Sequence, residues 1–120
     1  MQNTSLHVLN LMAQTLFDKK GFNILALDIH EVSSLARYFL IAEGNVEQHV
    51  IALAQAIIEK TKQEQLRPVH AEGLQIGDWV VLDYDEVVVH IFKPGLREKY
   101  ALEELWRVGK VVDLEITIAN

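Results

Sequence analysis

The side chains of this sequence that could do chemistry are concentrated in residues 78–92, DWVVLDYDEVVVHIF. This stretch contains two carboxylates two residues apart, Asp83 and Asp85, together with His90 and Trp79. Two carboxylates at that spacing on a strand point to the same face and can hold a divalent cation, as nucleotidyl transfer requires. One hypothesis is therefore a minimal nucleotidyltransferase that uses Asp83 and Asp85. The other hypotheses are a docking surface for a partner and the packing of an ordinary hairpin.

The catalytic hypothesis lacks the other groups that such chemistry needs. The loop before the second predicted helix is Glu43-Gly44-Asn45, whose carboxylate would repel a phosphate, and Asp85 falls at a predicted turn, where Asp is favoured. The histidines at positions 7, 30, 49, 70 and 90 show no short metal-ligand spacing, and the glycines form no phosphate-binding loop. There is no cysteine to serve as a nucleophile or ligand. We therefore predict no catalytic residue, no metal and no cofactor.

Alternation within residues 78–92 predicts a hairpin whose two-residue turn is Asp85-Glu86. In that register the residues of one face are all apolar or aromatic, and they are Val80, Leu82, Tyr84, Val87, Val89 and Ile91. This face is predicted to join the core. The residues of the other face are Trp79, Val81, Asp83, Val88, His90 and Phe92. Because a slip of one residue would exchange the two faces, this sorting supports the register.

The second face of the hairpin is either exposed to a partner or covered by another element of the chain. An exposed apolar patch with an aromatic anchor and a charged margin is what a protein interface requires. Alternatively, the C-terminal strand or a helix near Trp106 covers it. Residues 72–92 contain five acidic side chains and no Lys or Arg, which gives a formal charge of −5 with histidine neutral. If the face is exposed, this charge favours a basic partner.

The rest of the chain must supply the elements that position this hairpin. The elements that apolar spacing predicts are helices over 4–20, 45–65 and 96–106 and strands over 23–29, 37–44, 67–72 and 110–120. Asn45 is predicted to cap the second helix, His49 to be a capping or surface histidine, and Pro68 to place its strand at a sheet edge. This order predicts an α/β (α+β) fold, a mixed sheet of about five strands with helices on one side.

Length, composition and charge bound the class of protein. The chain has 120 residues, of which 50% are hydrophobic and 23% charged, as expected for one globular domain spanning 1–120. A net charge of −6 does not favour phosphate contacts with nucleic acid. No run approaches the ~20 apolar residues of a membrane span, and the N-terminus lacks the features of a signal peptide. The absence of cysteine fits a reducing cytoplasm.

Two segments carry a likeness to a known family. Residues 72–92, EGLQIGDWVVLDYDEVVVHIF, and residues 97–106, REKYALEELW, resemble the Iojap-related ribosomal silencing factors. Supporting pieces are DKKG at 18–21 and SSLARYFLIAEGN at 33–45. The likeness runs from about residue 9 to residue 106, which leaves 107–120 as a C-terminal extension of the single domain.

The resemblance implies a fold similar to a minimal nucleotidyltransferase core, without catalytic apparatus, in a cytoplasmic protein that is not an enzyme. It implies binding to the large ribosomal subunit at its L-fourteen protein, with little direct nucleic-acid contact and no membrane. There the protein would block subunit joining and repress translation under nutrient limitation, with a related role in large-subunit assembly.

The resemblance also implies which residues face the partner. The partner-facing surface maps around Trp79, with Val81, Val88 and Phe92 beside it. Asp83 and His90 would add polar contacts, and Glu98 and Tyr100 would extend the rim. The family likeness also allows a homodimer of the free protein. A dimerisation module, with the Trp79 face buried against itself, therefore stays open as an alternative.

Overall fold

Two helices and six strands make up the regular structure of residues 4–32, 34, 36–96 and 109–118, which this computed structural model describes. The helices are α1 (Ser5–Asp18) and α2 (Glu47–Lys62). The strands are β1 (Phe22–Asp28), β2 (Tyr38–Glu43), β3 (His70–Glu72), β4 (Trp79–Asp83), β5 (Val87–Phe92) and β6 (Lys110–Val111). The helix predicted over 96–106 lies, after its first residue, outside the described residues. Neither of the two described helices is both long and apolar enough to cross a membrane.

The strands form one mixed sheet in the order β3-β4-β5-β2-β1-β6. The central pair β2 and β5 is parallel, and every other neighbouring pair is antiparallel. The predicted α+β fold with a mixed sheet is therefore confirmed. The sheet has six strands where about five were predicted, because all six predicted strand segments join it, the C-terminal one only through Lys110–Val111, which pairs with β1. Strand β3 forms one edge, as Pro68 predicted.

Both described helices pack on the same face of the sheet. On α1, Leu9, Met12 and Leu16 follow helical spacing and are fully buried, and on α2 Leu53 and Ile57 do the same. They meet the six hairpin residues that were predicted to form the core face, all of which are buried. Burial of this shared apolar surface gives the fold its main stabilising free energy.

The start of α2 is capped differently from the prediction. Its N-cap residue is Val46, which makes no side-chain capping bond, so the assignment of this role to Asn45 was wrong. Instead, the Nδ1 atom of His49 accepts the backbone N–H of Asn45 at 2.9 Å. Its Nε2 lies 2.9 Å from the carbonyl oxygen of Lys19, just after α1. His49 is thus a capping histidine, and it joins the end of one helix to the start of the other.

The C-terminal tail shows the predicted alternation but is a strand only at its start. After β6, the side chains of Val112, Leu114 and Ile116 pack partly buried against the helix-side core. The Val112 N–H still donates to the Ala26 carbonyl of β1 at 2.9 Å, but further along the tail the backbone bonds to side chains of α1. Asn10 Oδ1 accepts the N–H of Glu115 at 2.8 Å. Gln14 accepts the N–H of Thr117 in the same way, at 2.7 Å. The amphipathic pattern identified the buried side of the tail, but beyond Val112 its hydrogen-bond partners lie on a helix.

Candidate functional site

The face of the sheet opposite α1 and α2 carries the candidate site, and it is here called the helix-free face because neither of the two described helices packs on it. The hairpin has the predicted register, with Trp79 opposite Phe92, Val81 opposite His90 and Asp83 opposite Val88. Its turn is also as predicted: Tyr84 N–H bonds to Val87 O at 2.8 Å and Asp85 has a φ of 75°. Asp tolerates this left-handed conformation better than most residues do. The six residues predicted to share this face therefore do so.

Neighbouring strands widen the helix-free face beyond the hairpin. In the parallel pairing of β2 with β5, Phe39 lies beside Val88 and Ile41 beside His90. On the other side, β3 places Glu72 beside Val81. The alternation within the hairpin did not predict these residues, because no local pattern in the sequence indicates which distant strand lies beside β5. The nearly continuous apolar character of 37–44 was the available signal, because such a run is typical of a strand that is buried on both faces.

Exposure divides the helix-free face into a buried centre and an accessible margin. Phe92 is fully buried and belongs to a buried cluster that also contains Leu27 and Ile41. His90 is 7% exposed and lies beside Ile41 of that cluster. Four of the six predicted residues stay partly exposed, and they are Trp79, Val81, Asp83 and Val88. Glu98 and Tyr100 lie outside the described residues. The margin therefore keeps exposed surface, and the buried centre lies beside it on the same face of the sheet.

Aromatic stacking and one hydrogen bond hold the indole of Trp79. Its ring lies 5.3 Å from the ring of Phe92 and 5.8 Å from that of His90, with interplanar angles of 20° and 25°. Its Nε1–H donates to His90 Nδ1 at 3.0 Å. The ring of Phe39 lies 5.0 Å beyond His90 and continues the aromatic row. An anchor fixed in this way loses little conformational entropy when a partner binds it.

The ring of His90 is neutral at physiological pH. Burial lowers the pKa of His90 from 6.5 to about 4. Because Nδ1 accepts the indole proton, the remaining ring proton lies on Nε2, which is buried and makes no hydrogen bond. Leaving such a donor unpaired costs about 1–3 kcal/mol. Contacts with three aromatic rings, stacked for Trp79 and Phe92 and tilted for Phe39, are the interactions that compensate for it at this position.

We expect the stability of the protein to depend on pH through His90. The unfolded chain takes up a proton near pH 6.5, whereas folded His90 takes it up only near pH 4. The free energy of unfolding should therefore fall as pH drops from 6.5 to 4, by at most about 3 kcal/mol from this group. Chemical denaturation of wild type and His90→Gln across pH 4–7.5 measures this, because the Gln oxygen can still accept the indole proton. Parallel curves for the two proteins would contradict the assignment.

The two carboxylates considered at the outset both serve the hairpin turn. Asp83 Oδ1 accepts the backbone N–H of Asp85 at 2.8 Å, the local bond that makes Asp a favoured turn residue. Asp85 itself is exposed at the tip of the turn. Within the described ranges, no three His, Asp or Glu side chains come together in a metal-binding group. The geometry thus gives the Asp-x-Asp pair a conformational role.

The margin of the helix-free face keeps its negative charge. The nearest basic side chain in sequence, Lys93, lies 3.3 Å from both Asp78 and Glu47, and these contacts raise the pKa of Lys93. Its charge is therefore already matched. Asp83 and Glu72 lie at neighbouring positions of the face, without a lysine or arginine between residues 72 and 92. This margin can attract a basic partner.

Comparison with known proteins gives a consistent result. The family model described as "Ribosomal silencing factor during starvation" matches residues 2–119. A Bacillus subtilis (strain 168) protein named ribosomal silencing factor RsfS is 36% identical over 108 residues, which cover 90% of this chain and 92% of that protein. A crystal structure of a Chromobacterium violaceum protein superposes with a TM-score of 0.84 at 31% identity, covering 96% of this chain and 95% of that one. A mouse protein named mitochondrial assembly of ribosomal large subunit protein 1 is 25% identical over 114 residues, covering 92% of this chain and 50% of that protein.

Proposed function

This chain belongs to the family of ribosomal silencing factors, and from that premise we propose that it binds the large ribosomal subunit and prevents the small subunit from joining. Its contact on the large subunit would be the L-fourteen protein, and its effect would be repression of translation in the cytoplasm when nutrients are limiting. The mechanism is steric occlusion, so no bond is made or broken and no cofactor takes part.

The observation that carries this proposal is the preorganised indole of Trp79. It is partly exposed, stacked on Phe92 and His90, and hydrogen-bonded to His90 at 3.0 Å. Tryptophans in such settings are the side chains most often found at interface hot spots. Val81 and Val88 add partly exposed apolar surface around it. A partner that covers this margin would remove apolar area from water without having to order the anchor first.

The electrostatics of the face support a protein partner over an RNA partner. Residues 72–92 carry a formal charge of −5, and after Lys93 pairs with Asp78 the segment still has an acidic excess, which repels nucleic-acid phosphates and attracts basic ribosomal proteins. We therefore propose little direct contact with ribosomal RNA. Opposite potentials mainly raise the association rate, so moderate salt should slow binding more than it speeds dissociation.

Two further roles fit the same surface. The name of the mouse relative refers to assembly of the large ribosomal subunit, and we propose a related role in large-subunit assembly for this chain. A homodimer of the free protein through the Trp79 face is the second proposal. Dimerisation would compete with ribosome binding, because both would bury the same indole. The mass of the free protein in solution should then fall when Trp79 is changed to alanine.

The experiment that tests the proposal is cosedimentation of the chain with purified ribosomal subunits. We expect saturable pelleting with large subunits and none with small subunits at the same concentration. Calorimetric titration with nucleoside triphosphate and Mg²⁺ tests the nucleotidyltransferase alternative in parallel. Failure of the wild-type chain to pellet with large subunits would overturn the proposed function. Saturable nucleotide binding that Asp83→Asn abolishes would favour the enzyme.

A further inference from the structure

We propose that the open edge of β3, with the recess at its end, takes up an extended segment of the basic partner in which basic and apolar residues alternate. This inference rests on the proposed function, since it specifies how the partner of the helix-free face is held. It adds a second element to the interface, a strand edge beside the Trp79 anchor.

The backbone of β3 has one free side. Strand β3 pairs with β4 through His70, Ala71 and Glu72, and in the part of the chain described no strand lies on its other side. An unpaired edge is a template for an added strand, and extended segments of partner proteins bind in this way. At three residues, the edge spans only ~10 Å, so it can accept a short segment and is a poor template for aggregation.

The two faces of β3 favour different side chains in the segment that would add to it. His70 and Glu72 lie at positions paired with Asp83 and Val81, so they continue the helix-free face. Ala71 pairs with Leu82 and packs against the helix-side core. Because successive side chains of a strand point to opposite faces, an added strand must alternate in the same way. Its residues beside Glu72 would be basic, and its residues beside Ala71 would be apolar.

A recess receives the apolar residues of the segment. It measures about 390 Å³ and is lined by Ala71, Gly73, Leu74, Gln75 and Ile76. Ile76 is 69% exposed, and Val69, just before the strand, is 72% exposed. Both ends of the three-residue strand β3 are therefore flanked by a large apolar side chain that is mostly exposed. A segment that adds to β3 would cover them.

Charge identifies the kind of occupant. Glu72 is two-thirds exposed and pairs only with the neighbouring His70, at 2.9 Å, among the ion pairs that the described residues form. Asp83 lies across from His70 on β4. A Lys or Arg of the partner can take the place of the His70 ring beside Glu72, and the partner of an acidic docking face is itself basic. The edge is therefore continuous with the helix-free face in both position and charge.

Amide hydrogen exchange of the full chain bound to purified large subunits tests this inference. A strand added to β3 must protect outward-facing amides of residues 70–72, and we expect their exchange to slow about tenfold or more relative to the free chain. We also expect Glu72→Lys to weaken binding about tenfold. Glu59→Lys is the matched control, since it reverses an exposed charge on α2, on the opposite face of the sheet, and should leave binding unchanged.

The outcomes separate this inference from the proposed function. Binding that protects residues 79–92 but leaves 70–72 exchanging as in the free chain would overturn the inference alone. Protection of 70–72 that grows with protein concentration in the absence of subunits would also overturn it, because the occupant would then be a second copy of this chain. If the wild-type chain fails to bind large subunits at all, the proposed function falls and this inference with it.

Discussion

Trp79→Ala is expected to weaken binding to the large ribosomal subunit by roughly 30- to 800-fold, which corresponds to about 2–4 kcal/mol. The change removes the ring that stacks on Phe92 and bonds to His90, and it removes the partly exposed indole face that a partner would cover. It also leaves His90 Nδ1 without its donor in the free protein. The affinity is measured by cosedimentation titration with purified large subunits.

A control variant that truncates a different aromatic side chain shows whether the loss of binding is specific to Trp79. Phe17 is 36% exposed and lies on α1, so Phe17→Ala removes a surface ring on the opposite side of the sheet. We expect Phe17→Ala to bind within about twofold of wild type, since surface substitutions away from special features have effects near ±0.5 kcal/mol. If Trp79→Ala binds as tightly as Phe17→Ala, Trp79 is not the anchor.

Gly73→Ala is expected to lower the free energy of unfolding by about 2–5 kcal/mol, from left-handed backbone strain together with overpacking. Gly73 has a φ of 84°, and a Cβ atom added there would lie 2.0 Å from the carbonyl oxygen of Trp79. A change of side-chain rotamer cannot relieve that contact, because the carbonyl oxygen of Trp79 belongs to the backbone at the start of β4. The connection from β3 to β4 must therefore shift, and the Trp79 backbone with it.

Gly95→Ala provides the control for Gly73→Ala. Gly95 has a similar φ of 89°, but an added Cβ atom there would meet nothing within 4 Å. It should cost only the backbone strain, about 1–2 kcal/mol. Urea denaturation at pH 7 compares both variants with wild type. Equal losses for the two glycines would show that the close approach of Gly73 to Trp79 contributes nothing.

The hairpin could be predicted from sequence because its structure is set locally. Only one register places Val80, Leu82 and Ile91 on one face, and Asp85 accepts the left-handed turn that this register requires. The helical stripe of α1 was equally clear, since Leu9, Met12 and Leu16 recur at helical spacing and are fully buried. In both cases each residue's neighbours along the chain determine which face it occupies.

The features that the sequence did not predict depend on distant parts of the chain. That β2 lies beside β5, and so brings Phe39 and Ile41 to the helix-free face, follows from sheet order. That the tail bonds to Asn10 and Gln14 follows from its position along α1. The division of the site into a buried centre and an accessible margin has the same origin. Alternation placed Phe92 and Trp79 on one face, but it could not show that Phe92 is fully buried while Trp79 is partly exposed.

Occlusion of subunit joining is the central claim, and a joining assay tests it most directly. Purified large subunits are incubated with the chain, small subunits and Mg²⁺ are added, and the fraction of joined ribosomes is measured on a sucrose gradient. We predict that joined ribosomes decrease in proportion to large-subunit occupancy by the wild-type chain. At the same total concentration, Trp79→Ala should leave joining nearly unchanged. Full joining on large subunits that are saturated with the wild-type chain would contradict steric occlusion.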